Sequence, residues 1–362
     1  MKSVLILLTV VLLISKNGNA QGCVAVRNLA GFGQFAALGY KENANKWMLD
    51  INNRYFEAHQ AFKGTKNVTP PNPYNALALY EYTLNMELSR TLKGGWVLAF
   101  DLPIAYNTAA STVEHLSGVR HSTSAFGIGD IRFTAYKWLL SDDKPRRGNI
   151  QFGLGLKFPT ANYHSMDYFY DNPADHTQTI LWPVNVAIQP GDGGTGITAT
   201  LNAFYIFNKQ FSLYSSFFYL SNPVNVNGVS AVIPGSTPSP TIVKATADVN
   251  SVPDNYTLRA GANYTRESWV LSAGFRYEGA PAIDLIGHSD GLRRVGHIFS
   301  VEPGLLYKFS SSFLYTFVTI PLHRATIQTV PDQRITQMTG VYTITGGDFA
   351  STLIFLGYAF TF

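Results

Sequence analysis

Residues 78–107 read ALYEYTLNMELSRTLKGGWVLAFDLPIAYN, two alternating segments joined by a tight glycine-containing turn. In the first segment Tyr80, Tyr82, Leu84, Met86 and Leu88 share one parity, and Glu81, Thr83, Asn85, Glu87 and Ser89 the other. In the second, Trp96, Leu98, Phe100, Leu102, Ile104 and Tyr106 alternate with Val97, Ala99, Asp101, Pro103, Ala105 and Asn107. A period of two puts every second side chain on one face of a strand. One face is thus a continuous apolar band with aromatics towards its ends, and the other is polar and partly charged. An ordinary strand runs about 5–6 residues, whereas an oblique bilayer crossing needs about 9–11. The stretch predicts a transmembrane β-hairpin, oily towards lipid and polar towards a lumen.

The same alternation recurs on both sides of this hairpin. Trp47, Leu49, Ile51 and Tyr55 face away from Asp50, Asn52 and Arg54, and Ile150, Phe152, Leu154, Leu156 and Phe158 from Gln151 and Lys157. Further strands are expected over residues 131–136, 197–207, 211–220, 256–264, 269–278, 297–308, 313–322 and 350–362. Residues 108–124 read as a polar loop. Connections alternate between short and long, as periplasmic turns and extracellular loops do in outer-membrane barrels. The fold class expected is all-β: one transmembrane antiparallel β-barrel over residues 46–362, with twelve strands. Fourteen stays open if residues 179–188 or 230–247 hold a further hairpin.

Composition agrees with a lipid-embedded wall. Charged residues make up 14% of the 362, and aromatics also 14%; soluble proteins average about 25% charged. The formal charge of +4 becomes +2 without Lys2 and Lys16. No basic patch of the kind nucleic acid requires is present. Residues 1–20 read as a secretory signal, with Lys2 as the positive region, an apolar run from Val4 to Ile14 and the small-residue site Gly18-Asn19-Ala20. Cys23 is the single cysteine, so no intrachain disulfide forms. Gln21 and Ala20 fit a lipoprotein cleavage box poorly. Residues 21–45 are small and Gly/Ala-rich, a leader at the barrel mouth or a plug inside it.

Parity places Asp50, Glu81, Glu87, Asp101, Asp130, Glu278 and Glu302 in the lumen, with Arg54, Arg132, Lys157, Arg259, Arg276 and Lys308. The signs nearly balance, whereas a strongly selective pore shows one sign in excess. Buried charges need partners, so these residues read as struts across a narrow interior. Val97, Ile128, Phe204, Tyr214 and Phe218 are expected to make that interior partly greasy.

Phe126-Gly127-Ile128-Gly129-Asp130-Ile131-Arg132, then Tyr136-Lys137, resembles the Gly-x-Gly-Asp strand of outer-membrane transporters linked to the meta-pathway of phenol degradation. Gly155-Leu156-Lys157-Phe158-Pro159-Thr160 is similar to that family's strand ending in Lys-x-Pro-Thr, although its usual following Gly is here Ala161. Gly191-Asp192-Gly193-Gly194-Thr195-Gly196 resembles its Gly/Asp segment. That family is distantly similar to long-chain fatty acid channels, which implies passive uptake of small hydrophobic or aromatic compounds. Ile354, Leu356, Tyr358, Phe360 and the terminal Phe362 share a parity, which resembles the C-terminal signature of bacterial outer-membrane barrels. In that group the assembly machinery reads it.

Enzymatic chemistry finds little support in the sequence. A lipase-type barrel would need an outward Ser beside a His, and His297 is the one strand histidine worth testing. No cofactor site is legible, and Gly127-x-Gly129 precedes no helix that would hold a nucleotide. His164, Asp167, Asp171, Asp175 and His176 crowd one extracellular loop with cation-ligating groups, but such loops are polar in any case. Two functional classes remain. One is an outer-membrane channel for a small-molecule substrate. The other is a non-conducting surface barrel whose long loops adhere to partners.

Overall fold

A row of outward apolar residues on every strand is tolerable only if the strands close on themselves and lipid covers the outside. The computed structural model shows this closure. It describes residues 21–22, 35, 46–115, 119–140, 147–170 and 179–362; the expected signal segment, Cys23 and the turn at 141–146 lie outside the described residues. Twelve strands form the wall. The first six are β1 (Trp47–Ala58), β2 (Ala78–Thr91), β3 (Trp96–Ser111), β4 (Arg132–Trp138), β5 (Gly148–Lys157) and β6 (Gly196–Ile206). The others are β7 (Phe211–Ser221), β8 (Asn255–Arg266), β9 (Trp269–Ala280), β10 (Gly296–Lys308), β11 (Ser312–Thr326) and β12 (Leu353–Thr361).

Each strand pairs antiparallel with its neighbours in sequence, and β12 pairs with β1 to seal the ring. At the seam Trp47 and Phe362 exchange both backbone hydrogen bonds at 3.0 Å. Neither 179–188 nor 230–247 holds a hairpin of its own; the short ladders nearby, Met166–Phe169 with Ile180–Pro183 and Val226–Ser230 with Val249–Ser251, lie in loops outside the ring. The strand number is therefore twelve.

The two faces separate as the alternation requires. Leu98, Phe133, Leu154, Leu156 and Phe275 are exposed on the outer wall, while Asn52, Arg54, Asn85 and Glu302 are buried inside. At the short-turn end aromatic rings form a girdle, with Trp269 against Tyr307 (4.5 Å) and Phe211 against Tyr264 (5.1 Å). Arg90 and Lys137 lie over Trp47 and Trp96 in the same band, at 5.0 and 5.2 Å. Cations that reach the headgroup level along an aromatic face are typical of a membrane interface. Gly94 and Gly95 take φ of 72° and 77° to close the β2–β3 turn.

One stave departs from regularity. The lower part of β3 pairs with β4, Asp101 opposite Arg132, while its upper part pairs with His121–Ile128, Ile104 opposite Ile128. Three steps along β3 thus face four along its partner, so one extra residue is held within 129–131. A one-residue bulge reverses facing. Ile128, expected in the lumen, is therefore on the outer face and 52% exposed, while Arg132 points inward and is 6% exposed. Both ends of what reads as a polar loop over 108–124 are likewise corrected, because β3 runs on to Ser111 and the next strand begins at His121.

The long loops form an ordered cap. Asp284 and Arg293, fully buried, pair at 2.9 and 2.7 Å. Asp254 accepts from Tyr219 Oη, the Asn222 amide and the Leu285 amide at 2.7, 2.7 and 2.8 Å. Two short helices, α1 (Pro240–Lys244) and α2 (Val330–Thr339), belong to this cap, and Arg334 of α2 reaches Asp290 and Thr246.

Candidate functional site

The inward charges fall into two clusters, set by register. In the first, directly opposed residues run Asp50, Glu87, Asp101, Arg132, Lys157 across five neighbouring staves. Acids occupy three adjacent positions and bases the next two, so the near-balanced charges are sorted into arcs. Tyr315 Oη donates to both Asp50 oxygens at 2.8 and 2.9 Å. Lys157 Nζ reaches Asp192, and Asp130 at 3.5 Å. Arg132 lies over the Phe218 ring at 5.9 Å. One level nearer the long loops Arg54 pairs with Glu81 at 3.2 Å.

The second cluster stands apart from the first, on β8 to β10. Arg259 donates to Glu302 through Nε and Nη2 at 2.9 and 2.7 Å. Arg276 donates to Glu278 at 2.8 Å and lies 3.6 Å from the other Glu302 oxygen. All four are buried. Two guanidinium forks and two carboxylates in a water-poor interior are mutually required, because either sign alone would be costly to bury.

Between the clusters the lumen is not open. The loop after β5 folds inward, burying Val184, Ala187 and Ile188, and Asn107 Nδ2 on β3 donates to the Ile188 carbonyl at 3.1 Å. Gln189 ties the loop to itself through Ser165 and Val184. Phe35, the one described residue of 23–45, is fully buried in the barrel interior, its ring 6.2 Å from Tyr315. Gln21–Gly22 adds to the edge of Gly347–Ala350, at the long-loop end, while residue 46 lies at the opposite rim.

Two cavities are stacked along the axis. An inner one of about 170 Å³ is lined by Arg54, Glu81, Arg132, Lys157, Phe218 and the inward loop. An outer vestibule of about 380 Å³ lies among the long loops. Val186, Leu292 and Arg294 border both. The inner cavity also touches Gly129 and Asp130, where the fourth stave is broken. At that break the backbone keeps one bond to each side, the Gly129 N–H to the Pro103 carbonyl at 2.8 Å and the Phe158 N–H to the Ile131 carbonyl at 2.9 Å, and Thr160 bridges the rest, its hydroxyl donating to the Gly129 carbonyl and accepting from the Ile131 amide, both at 3.0 Å. Above it, among the described residues, the edge of His121–Ile128 that faces away from β3 makes no strand ladder, although Met166–Phe169 runs beside it. The Asp167 carboxylate accepts the Ser124 amide there at 2.8 Å. The wall thus has a seam, flanked on its lipid side by Phe126, 72% exposed, and Ile128.

Of the ten residues singled out in sequence, Glu81, Asp101, Arg132, Lys157, Arg259, Arg276, Glu278 and Glu302 are buried on the inner face, and Glu87 and Asp130 partly so. The loop cluster does not assemble as a cation site in the described part. Asp167 is engaged by backbone amides, His164 is exposed, and Asp171, Asp175 and His176 lie outside the described residues. His297 stacks on His323 at 5.7 Å and near Tyr277. Sequence reasoning missed Tyr315, because β11 carries aromatics on both parities. It also missed Asp192 as the partner of Lys157, although the Gly/Asp segment around it was conspicuous.

No protein-family profile and no curated protein matches the chain. Among solved structures, an outer membrane channel from Pseudomonas putida F1 superposes with a TM-score of 0.58 at 12% identity, over 88% of this chain and 96% of that one. A FadL homologue from Pseudomonas aeruginosa gives 0.40 at 12%, over 95% and 98%. The toluene transporter TbuX of Ralstonia pickettii gives 0.38 at 9%, over 88% and 90%. The first likeness establishes the shared fold, an outer-membrane β-barrel.

Proposed function

We propose that this barrel is a passive outer-membrane channel for small hydrophobic or aromatic compounds. The observation that carries the reading is the inner cavity ending at a broken stave, with exposed Phe126 and Ile128 beside the break. A water-filled pore for ions has no need of an interrupted wall, whereas an apolar solute gains by leaving sideways into lipid. The partly greasy lining and the stacked cavities support the same route. The buried Phe35 narrows the axial path from inside, which supports the plug reading of the 21–45 segment over the leader. The outward Phe362 at the end of β12 is the feature we infer the assembly machinery reads.

The test is uptake of a labelled monoaromatic into cells or proteoliposomes carrying the barrel, alongside conductance in planar bilayers. Uptake with small conductance is expected, and deletion of 21–45 should raise conductance. Neither uptake nor conductance in the intact chain would overturn the channel and favour the adhesive barrel.

A further inference from the structure

The charges on the wall of the inner cavity are five bases and three acids, and four of the bases are engaged. Arg54 pairs with Glu81 at 3.2 Å, and Lys157 is held by Asp192 and Asp130. Arg293 is locked to Asp284, and Arg294 lies 3.7 Å from Asp348. Arg132 differs. It is 6% exposed, yet among the described residues it forms no ion pair and donates no hydrogen bond, resting only over the Phe218 ring. Its nitrogens are not sealed off: the Nε atoms of Arg54, Arg276 and Arg293 are cut off from solvent, whereas all three nitrogens of Arg132 keep accessible surface. That surface belongs to the cavity, because β4 turns Arg132 inward and the residue lines it. Asp101, opposite in register, attracts Arg132 from a distance but fills none of its N–H positions, and neither Asp101 nor Glu87 lines the cavity.

A buried guanidinium is costly until an anion meets it. Its five N–H donors form a planar fork that a carboxylate fits with two parallel bonds. The surroundings choose the rest of the ligand. Phe218, Leu220, Pro103, Ala105 and Pro190 give the cavity an apolar side. At about 170 Å³ it is smaller than the roughly 300–1,000 Å³ of pockets for drug-sized ligands, so it suits one ring rather than a long chain. An ammonium would be repelled by Arg132, and the wall acids that could attract it are occupied. Glu81 is taken by Arg54, and Asp130 and Asp192 by Lys157 and by the Ala161 and Gly194 amides. We propose that the inner cavity is a binding site for single-ring aryl carboxylates, the carboxylate on the Arg132 fork and the ring against Phe218 and its apolar neighbours. This rests on the uptake reading and narrows its substrate to amphiphiles whose ring still gains by entering lipid.

The test is calorimetry on the full-length barrel in micelles with benzoate, benzyl alcohol, acetate and hexanoate. Wild type should bind benzoate tighter than the alcohol by roughly tenfold to a hundredfold in Kd, the worth of a hydrogen bond between charged groups. Acetate, which lacks the ring, and hexanoate, which replaces it by a chain, should both bind more weakly than benzoate. Arg132→Gln removes the fork and its charge, so benzoate should fall to the level of the alcohol. Should that variant misfold, Phe218→Leu serves instead: it trims the ring's partner and should weaken benzoate while leaving acetate unchanged. Benzoate no tighter than the alcohol, acetate or hexanoate in wild type, tighter binding of benzylammonium, a preference unmoved in Arg132→Gln, or benzoate affinity unmoved in Phe218→Leu overturns the site. Uptake of toluene is measured separately. If uptake persists while the benzoate preference is absent, the site fails and the channel stands.

Discussion

Removing Glu302 tests whether the lumenal charges are struts. Glu302 is fully buried and takes two hydrogen bonds from Arg259 at 2.9 and 2.7 Å, with Arg276 at 3.6 Å. Glu302→Leu leaves two buried guanidiniums facing the single carboxylate of Glu278. Breaking a buried pair from one side costs about 3–5 kcal/mol, whereas replacing both partners by apolar groups is often neutral. Adding Arg259→Met to Glu302→Leu removes the excess charge and leaves the Arg276–Glu278 pair intact. The double variant should recover most of the loss, short of the contact Arg259 makes with the Phe317 ring at 4.8 Å. Urea unfolding in lipid vesicles, followed by tryptophan emission, reads both numbers, and bilayer conductance of the double variant should match wild type. A single-variant cost below about 1 kcal/mol, or a double variant no better than the single, refutes the strut reasoning.

A Cβ on Gly129 would lie 2.7 Å from Pro103 Cγ and 3.1 Å from its Cβ. Gly129→Val should therefore destabilise by about 1–3 kcal/mol and slow aromatic uptake; a wild-type urea midpoint and rate would show that the break tolerates a side chain. Burial and the neighbouring His121 hold the His115 imidazole down from 6.5 to about 4, against the opposing pull of Asp167. A base with a lowered native value lends its stability above about pH 6.5 and loses it as pH falls towards 4. Protease cleavage of the loop around His115 on intact cells should rise across that interval in wild type. In His115→Phe, which keeps the stacking on Phe169 and the tilted contact with Tyr170, it should not; equal pH dependence in both would refute the assignment.

The wall was legible because lipid and lumen impose opposite demands on alternate residues, so twelve strands and the facing of Asp101 or Arg259 follow from parity alone. What parity cannot carry is a change of phase: one extra residue within 129–131 reversed Ile128, and no local composition announces where a bulge sits. Partnerships across long separations were equally hidden, since Arg334 meets Asp290 and Asp254 meets Leu285 only once the cap is folded. The ambiguity of β11 had a different origin and is informative. Tyr315 and Phe317 are both buried in the interior, Tyr315 bonded to Asp50 and packed near Phe35, while Leu314 and Ile320 on the opposite parity are exposed outside. A strand that is oily on both faces is what a barrel needs where its inner surface meets packed apolar groups rather than water. The loss of alternation along β11 therefore marks, within the sequence, the side of the lumen against which Phe35 packs.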